Sequence, residues 1–274
     1  MSKNIEFGII QGRLTQSPPN CLQWFPNNNW EDEFSSASKL NIDFIELIAE
    51  ISHNPENPIW SSTGIDKILE LCNKNNLSVY SLCNDYIIDN SFNESSTFQQ
   101  NIDLIEQCRK LKIKKYILPF FNESEININN QDVFVKNLLE IADLAGKYQI
   151  QILLETIMNG EELMNFIKIL NHENIKIVFD TGNRVAYGHN LPKDIELLGN
   201  NIKHVHIKDK DAEQNNVILG TGLVNFSHIF QAFRKIKYNG AYVFETTRGN
   251  HPLNTAKYNL DFSRFFIENS KNES

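Results

Sequence analysis

Residues 150–180 read IQILLETIMNGEELMNFIKILNHENIKIVFD and contain the unit that decides the fold. Two short apolar runs, Ile150–Glu155 and Ile175–Asp180, have the length and composition of strands. Between them, apolar residues recur every three or four positions from Leu163 to Leu170, which is the spacing of an amphipathic helix. A strand, a helix and a second strand in this order predict two parallel strands joined by a right-handed crossover.

The same alternation continues along the chain. The predicted strands are Ile5–Gly12, Phe44–Ala49, Leu77–Cys83, Lys115–Pro119, Ile150–Glu155, Ile175–Asp180, Ile202–Ile207 and Ala241–Glu245. Helical patterns separate them, and the weakest is Pro192–Leu198. Eight units in 274 residues give about 34 residues each, which favours an α/β fold with one closed (β/α)₈ TIM barrel domain over residues 1–274. Only the polar end, residues 269–274, is expected to be frayed.

Composition and charge exclude several other classes of protein. The chain is 41% hydrophobic and 22% charged with 12 Gly and 8 Pro, which excludes collagen-like, coiled-coil and disordered chains. Its net charge of −8 argues against nucleic-acid and membrane partners and favours a small molecule. Neither a secretory pattern nor a long apolar stretch is present in the sequence, so we expect a cytoplasmic protein with reduced cysteines. A Gly-x-Gly-x-x-Gly motif does not follow the first predicted strand, so nucleotide-binding folds lose support.

Four consecutive predicted strands end in side chains that can bind a metal: Glu155, Asp180, His206 and Glu245. The carboxyl ends of barrel strands meet at one face, where the active sites of such barrels lie. Three carboxylates and one imidazole suit a divalent ion, with Mn²⁺ favoured and Mg²⁺, Co²⁺ or Zn²⁺ open. Taken singly, a carboxylate here could cap the next helix and a histidine could be a hydrogen-bonded core residue. Because four such side chains end successive strands at the same level of the barrel, the metal site is the favoured interpretation.

Several segments resemble a known family. They are Gly8–Arg13, Phe34–Ile48, Asp180–Asn183, His204–Asp209 and Leu219–Gly222. In these segments the chain is similar to the xylose isomerase-like TIM barrels, which include sugar isomerases and epimerases, hydroxypyruvate isomerase, inosose dehydratase and, more distantly, apurinic endonucleases. The resemblance extends over nearly the whole chain and implies the barrel fold independently of the strand pattern.

The resemblance also implies roles for the four strand-end residues. Glu155, Asp180, His206 and Glu245 take the positions of the metal ligands, and the two glutamates take those of the catalytic bases. One carboxylate would remove the proton next to a carbonyl, giving a metal-stabilised ene-diolate, and the other would return it. Asn183 stands where many relatives have a histidine. The endonuclease branch needs histidines where the second and third strands here carry Glu46, Asn84 and Asp85, so DNA repair is disfavoured.

Further polar residues near the strand ends are candidates for binding substrate. They are Gln11, Arg13, Glu46, Asn84, Asp85, Asn183, Lys208 and Arg248. Glu46 would orient the substrate or pair with Arg13. The turn Gly220–Gly222 precedes a predicted helix and is either a phosphate cradle or a plain tight turn.

The sequence therefore predicts a metal-dependent isomerase or epimerase of a small sugar, ketose or sugar phosphate. A dehydratase or lyase using the same metal, and a barrel that binds a sugar without turning it over, remain alternatives. A homo-oligomer is also left open.

Overall fold

A computed structural model describes residues 5–19 and 21–269 of the chain. Within them, eight parallel strands close into a barrel in which each strand pairs with its neighbours in sequence and the first pairs with the last. The strands are β1 (Phe7–Ile10), β2 (Phe44–Ala49), β3 (Ser78–Asn84), β4 (Lys115–Phe120), β5 (Gln151–Thr156), β6 (Ile175–Asp180), β7 (Ile202–Ile207) and β8 (Ala241–Phe244). The predicted closed (β/α)₈ barrel is confirmed.

Helices follow the strands and surround the barrel. They are α1 (Asp32–Lys39), α2 (Ser62–Asn75), α3 (Tyr86–Asp89), α4 (Ser95–Lys110), α5 (Asp132–Lys147), α6 (Gly160–Leu170), α7 (Thr181–Ala186), α8 (Leu191–Leu198), α9 (Phe226–Lys235) and α10 (Pro252–Asn269). The weakly predicted helix is α8, which begins where the Asn190 side chain accepts the Lys193 N–H at 3.1 Å. None of the described helices is long and apolar enough to cross a membrane. Residues 270–274, most of the predicted frayed end, lie outside the described residues.

Strand alternation divides the apolar core into two layers. The inner layer fills the barrel and comprises Ile10, Phe25, Phe44, Ile48, Cys83, Ile117, Leu153, Val178, Ala241 and Val243. The outer layer packs the opposite strand faces against the helices and includes Leu154 and Phe179. Leu153 and Val178 each stand two residues before a strand-end carboxylate and therefore face the same way as that carboxylate. The inner layer thus packs apolar side chains directly below the polar residues at the strand ends.

The loop after β1 is anchored by a buried carboxylate. Glu33, at the start of α1, accepts the N–H of Gly12 at 2.6 Å and the N–H of Leu14 at 3.0 Å. It also accepts the Thr15 hydroxyl at 3.1 Å. Gly12 has a φ of +85°, and a side chain there would collide with the Trp24 carbonyl, so only glycine suits this turn.

A buried arginine holds the same loop from the other side of the barrel mouth. Arg248, just after β8, donates to the Gly12 carbonyl at 2.6 Å. Its second nitrogen donates to the carbonyls of Cys21 and Leu22 at 3.0 and 2.9 Å. Contacts from α1 and from the β8 end therefore fold the first loop back over the carboxyl ends of the strands.

Replacing Glu33 with Gln should lower the free energy of unfolding by roughly 1–3 kcal/mol, because the amide places a donor where the carboxylate accepts three hydrogen bonds. Glu70→Gln, an exposed change on α2, should alter the stability by no more than about 0.5 kcal/mol. Urea unfolding followed by circular dichroism measures both. Equal stability of the two variants would contradict this role of Glu33.

Candidate functional site

The four predicted ligands meet at the carboxyl ends of β5 to β8. Glu155, Asp180, His206 and Glu245 are all buried, and one ligand atom from each lies within 4.8 Å of the others. The Nδ1 atom of His206 lies 3.0 Å from Glu245 Oε2, 3.5 Å from Glu155 Oε2 and 3.9 Å from Asp180 Oδ2. The structure therefore brings together all four residues that the strand pattern singled out.

The chemistry of this cluster fits a divalent cation. Asp180 Oδ2 and His206 Nδ1 are buried, and among the described residues neither atom makes a well-aligned hydrogen bond; their near neighbours are the charged groups of Lys208 and Glu245. Buried polar atoms without partners are rare and call for an explanation such as a bound ion. Carboxylate oxygens with one imidazole nitrogen suit Mn²⁺, Mg²⁺ or Zn²⁺. A cation bound to these atoms would satisfy both and offset the repulsion between three carboxylates.

Lys208 supplies positive charge beside the same carboxylates. Its Nζ atom lies 3.1 Å from Asp180 Oδ2 and 2.9 Å from Glu245 Oε1. Burial would raise the pKa of Glu245, but the charges of Lys208 and His206 hold that pKa well below its usual range. For Asp180, burial prevails over the attraction of Lys208 and raises the pKa to about 7. The two acidic ligands thus differ in how readily they give up a proton.

Glu46, on β2, orients the histidine of this cluster from across the barrel. Its two oxygens lie 2.9 Å from His206 Nε2 and 2.7 Å from His204 Nε2, and Ser81 donates to it at 2.5 Å. Burial alone would raise the pKa of Glu46, but the two histidines lower it to about 2. Burial opposes the charge of His206, but Glu46, Glu155 and Glu245 raise its pKa well above the usual value in the metal-free cluster. Once a metal displaced the proton on Nδ1, the carboxylate of Glu46 would hold the remaining proton on Nε2. Glu46 therefore binds these histidines instead of pairing with Arg13.

Asn183 contacts both Glu155, the fourth predicted ligand, and Lys208. Its amide nitrogen donates to Glu155 Oε1 at 2.8 Å, and its amide oxygen lies 3.5 Å from Lys208 Nζ. Asn183 thus fixes the orientation of the Glu155 carboxylate. The amide does not ionise near neutral pH, so Asn183 can orient Glu155 but cannot act as an acid or a base.

The other predicted substrate-binding residues form two groups, one at the mouth of the barrel and one at the end of β3. Arg13 donates to the Leu22 carbonyl and to the Gln23 side chain, and Arg248 holds the same loop. Gln11 is buried, and its amide oxygen lies 3.5 Å from the Ile48 N–H. These three residues line or support the mouth of the barrel.

The adjacent residues Asn84 and Asp85 face opposite sides of the sheet. The Asn84 amide donates to Tyr116 at 2.9 Å and to Asn101 of α4 at 3.1 Å, which places it between the strands and the helices. Asp85 instead accepts the Cys83 thiol at 3.3 Å. Cys83 belongs to the inner layer, and the contact with its thiol places the Asp85 carboxylate on the same inner side. Asn84 therefore lies away from the metal cluster.

Sequence reasoning missed Gln23. This residue of the first loop lies 3.4 Å from Glu245 Oε1 through its amide nitrogen, while its amide oxygen accepts from Arg13. It lies in an irregular loop with no periodic pattern, so no signal in the sequence pointed to this contact. Gln23 is the loop's link to the cluster.

The turn at Gly220–Gly222 is organised by a carboxylate of the protein itself. Asp209 Oδ2 accepts the N–H groups of Gly220 and Gly222 at 3.0 and 2.9 Å. Its other oxygen accepts the N–H of Val224 at 3.0 Å. Of the two interpretations of this turn, the tight turn is the one that the structure supports, because the amides that would cradle a phosphate already have an acceptor.

Replacing Glu46 with Gln should weaken Mn²⁺ binding by about 10–100-fold, because the amide cannot accept from both histidines and one ring must change its tautomer. Titration calorimetry on metal-free protein measures the affinity. The matched control is Glu50→Gln, directly after β2, whose carboxylate accepts from Asn54 and Asn57 instead. Unchanged affinity in a stably folded E46Q protein would contradict the orienting role.

Asp85 should make the stability of the metal-free protein depend on pH. Burial, with the charge of Glu245 nearby, raises its pKa to about 7, whereas an unfolded aspartate titrates near about 3.9. Its stabilising contribution is therefore full at acidic pH, below the unfolded pKa, and is lost as the pH rises through about 7. The free energy of unfolding of Asp85→Asn minus that of the wild type should rise by about 2–3 kcal/mol from pH 5 to pH 8. Urea unfolding with a chelator present measures it. The exposed Asp89→Asn should show no such gain, and equal pH profiles for both variants would refute the assignment.

Comparison with known proteins places this site in a family. The sequence model described as xylose isomerase-like TIM barrel matches residues 34–265. A probable L-ribulose-5-phosphate 3-epimerase of Mycoplasma pneumoniae is 25% identical over 257 residues, which cover 84% of this chain and 81% of that protein.

Solved structures agree with this placement at the level of the fold. D-psicose 3-epimerase with D-tagatose from Clostridium cellulolyticum superposes with a TM-score of 0.76 at 17% identity, covering 96% of this chain and 99% of that one. A xylose isomerase-like TIM barrel protein from Mycobacterium smegmatis in complex with magnesium gives a TM-score of 0.74 at 16% identity, covering 98% of each chain. Because the family model spans most of the sequence, the chain belongs to the xylose isomerase-like TIM barrel family.

Proposed function

We propose that this protein is a divalent-metal-dependent epimerase or isomerase of a small sugar, ketose or sugar phosphate. The observation that carries the proposal is the position of Glu155, on β5, and Glu245, directly after β8, which lie on either side of Asp180 and His206 in strand order and join them in one buried cluster. Two carboxylates placed on either side of a reacting carbon suit removal of a proton by one and its return by the other. The names of the epimerases that the chain resembles in sequence and fold support the same reaction class.

Glu155, Asp180, His206 and Glu245 would hold the cation, for which we propose Mn²⁺. When bound, it supplies positive charge that polarises a carbonyl and stabilises the charge developing on the substrate oxygens.

The protein's own groups would carry the proton. One glutamate takes it from the carbon beside the carbonyl, and the other glutamate delivers a proton from the opposite side. Return to the same carbon inverts that centre, whereas return to the neighbouring carbon moves the carbonyl. Asn183 on Glu155 and Lys208 on Glu245 hold both carboxylates in place before substrate arrives, which reduces the reorganisation needed in the transition state. Location in the cytoplasm and a possible homo-oligomer stay predictions of the sequence.

Replacing Glu155 or Glu245 with Gln should reduce solvent deuterium incorporation into substrate by at least about a hundredfold, because an amide cannot accept the proton. NMR of a ketose panel in deuterated water with saturating Mn²⁺ measures the exchange, and Glu70→Gln is the surface control. Wild-type exchange in both metal-loaded variants would exclude the glutamates as bases.

The same spectra and the product mass separate the alternatives. Epimerisation and isomerisation conserve mass, whereas a dehydratase removes one water. Tight binding of a ketose with neither exchange nor product would identify a binding protein.

A further inference from the structure

A cavity of about 540 Å³ lies at the mouth of the barrel. Its walls come from the loops that follow β1, β7 and β8, which are neighbouring strands in the closed sheet. The four proposed metal ligands do not line it, so it is a compartment separate from the metal cluster. Its volume lies in the range of sites that hold small organic molecules.

Arg248 lines this cavity and keeps one donor unused. The residue is 6% exposed, and its Nε and Nη1 atoms donate to the carbonyls of Gly12, Cys21 and Leu22. Its other nitrogen, Nη2, is buried and has no hydrogen-bond partner among the described residues. A buried charged donor without an acceptor is costly, so a ligand that supplies one would stabilise it.

The positive charge beside the cavity is not balanced by an ion pair. Within the described part of the chain, the hydrogen bonds of the buried Arg13 and Arg248 side chains all go to neutral oxygens. Burial, followed by the charge of Arg13, lowers the pKa of Arg248 to about 9, although Glu33 acts in the opposite direction. Arg248 therefore stays charged at neutral pH, and an anion nearby would offset both the burial and the repulsion.

The remaining wall of the cavity suits an anion. Among the described residues that line it, Arg248 is the charged one and the others are neutral. Ser17 and Thr247 contribute hydroxyls, and Gln214 contributes an amide. A phosphate or carboxylate group accepts hydrogen bonds from such groups and is attracted by the guanidinium, whereas a cation would be repelled.

The cavity adjoins the loop that contacts the metal cluster. Arg13 and Arg248 both donate to the Leu22 carbonyl, and Leu22 lines the cavity. The next residue, Gln23, lies 3.4 Å from Glu245 through its amide nitrogen. A ligand in the cavity would therefore lie against the segment that links the first loop to the cluster.

We propose that this cavity is an oxyanion site, in which the anionic group of a small molecule pairs with the Arg248 guanidinium and accepts from the wall hydroxyls. Arg13 adds positive charge from behind the loop. The oxyanion belongs either to the molecule that reacts at the cluster or to a separate ligand, and both sources present the same chemistry to Arg248.

The test is calorimetric titration of the Mn²⁺-loaded protein with inorganic phosphate. Wild type should bind it saturably, and Arg248→Gln should weaken that binding by about 10–100-fold, because the change removes the charged donor. Phosphate held by the metal alone would require Mn²⁺ and keep its affinity in Arg248→Gln, which would overturn the proposal. Lack of saturable binding by wild type would overturn it as well.

A matched pair at Ser17 tests the wall without touching the contacts that hold the loop. Ser17→Asp places a carboxylate in the cavity and should weaken phosphate binding at least about tenfold relative to Ser17→Asn, which has a similar size and no charge. If Arg248→Gln fails to fold, this pair decides the question. Equal affinity of the two Ser17 variants would then count against the site.

Turnover identifies the source of the oxyanion. If the group belongs to the substrate, inorganic phosphate should compete with a ketose phosphate, and Ser17→Asp should raise KM for that ester more than for the free ketose. If phosphate changes kcat for a free ketose without competing, the site serves a separate ligand. Both results support the oxyanion site. If no sugar is turned over, the proposed function fails, whereas the calorimetric titrations still decide this inference.

Discussion

Three carboxylates share one buried cluster, and their mutual repulsion is the constraint on which the rest of the site depends. Two unit charges 4 Å apart at an effective dielectric constant near 20 interact by about 4 kcal/mol, so Glu155, Asp180 and Glu245 require positive charge beside them. Lys208 and His206 provide part of it within the protein. A divalent cation would provide the remaining positive charge. The repulsion that destabilises the metal-free cluster therefore favours the binding of a metal.

Closure of the barrel makes this arrangement possible. Strand β7 and the residue that follows it place His204, His206 and Lys208 at alternate positions, so one short segment contributes two histidines bound to Glu46 and the cation beside Asp180 and Glu245. Glu46 reaches both histidines from β2, which is not a neighbour of β7 in the sheet. Their contact crosses the barrel interior and exists only once β1 has paired with β8.

The sequence was most informative where a regular strand pattern determines where a residue lies in the barrel. Strand ends in a parallel barrel lie at one face, so the convergence of Glu155, Asp180, His206 and Glu245 could be predicted without coordinates. Alternation along β3 also places Asn84 on the face opposite Cys83, which accounts for its contacts with Tyr116 and Asn101. The partner of Glu46 could not be found in this way, since nothing local indicates which side chain stands opposite across a barrel.

The contacts of the irregular loops could not be predicted from the sequence, and these loops determine the shape of the barrel mouth. Gln23 reaches Glu245 because Glu33 and Arg248, far apart in sequence, both hold the first loop by its backbone. Likewise, Asp209 captures the glycine turn through hydrogen bonds that span eleven and thirteen residues. Each anchor is a buried charge bonded to backbone groups, so moving the loop would leave that charge without partners. The mouth is therefore held in shape by the protein itself, and a substrate that fits it loses less free energy to ordering the site on binding.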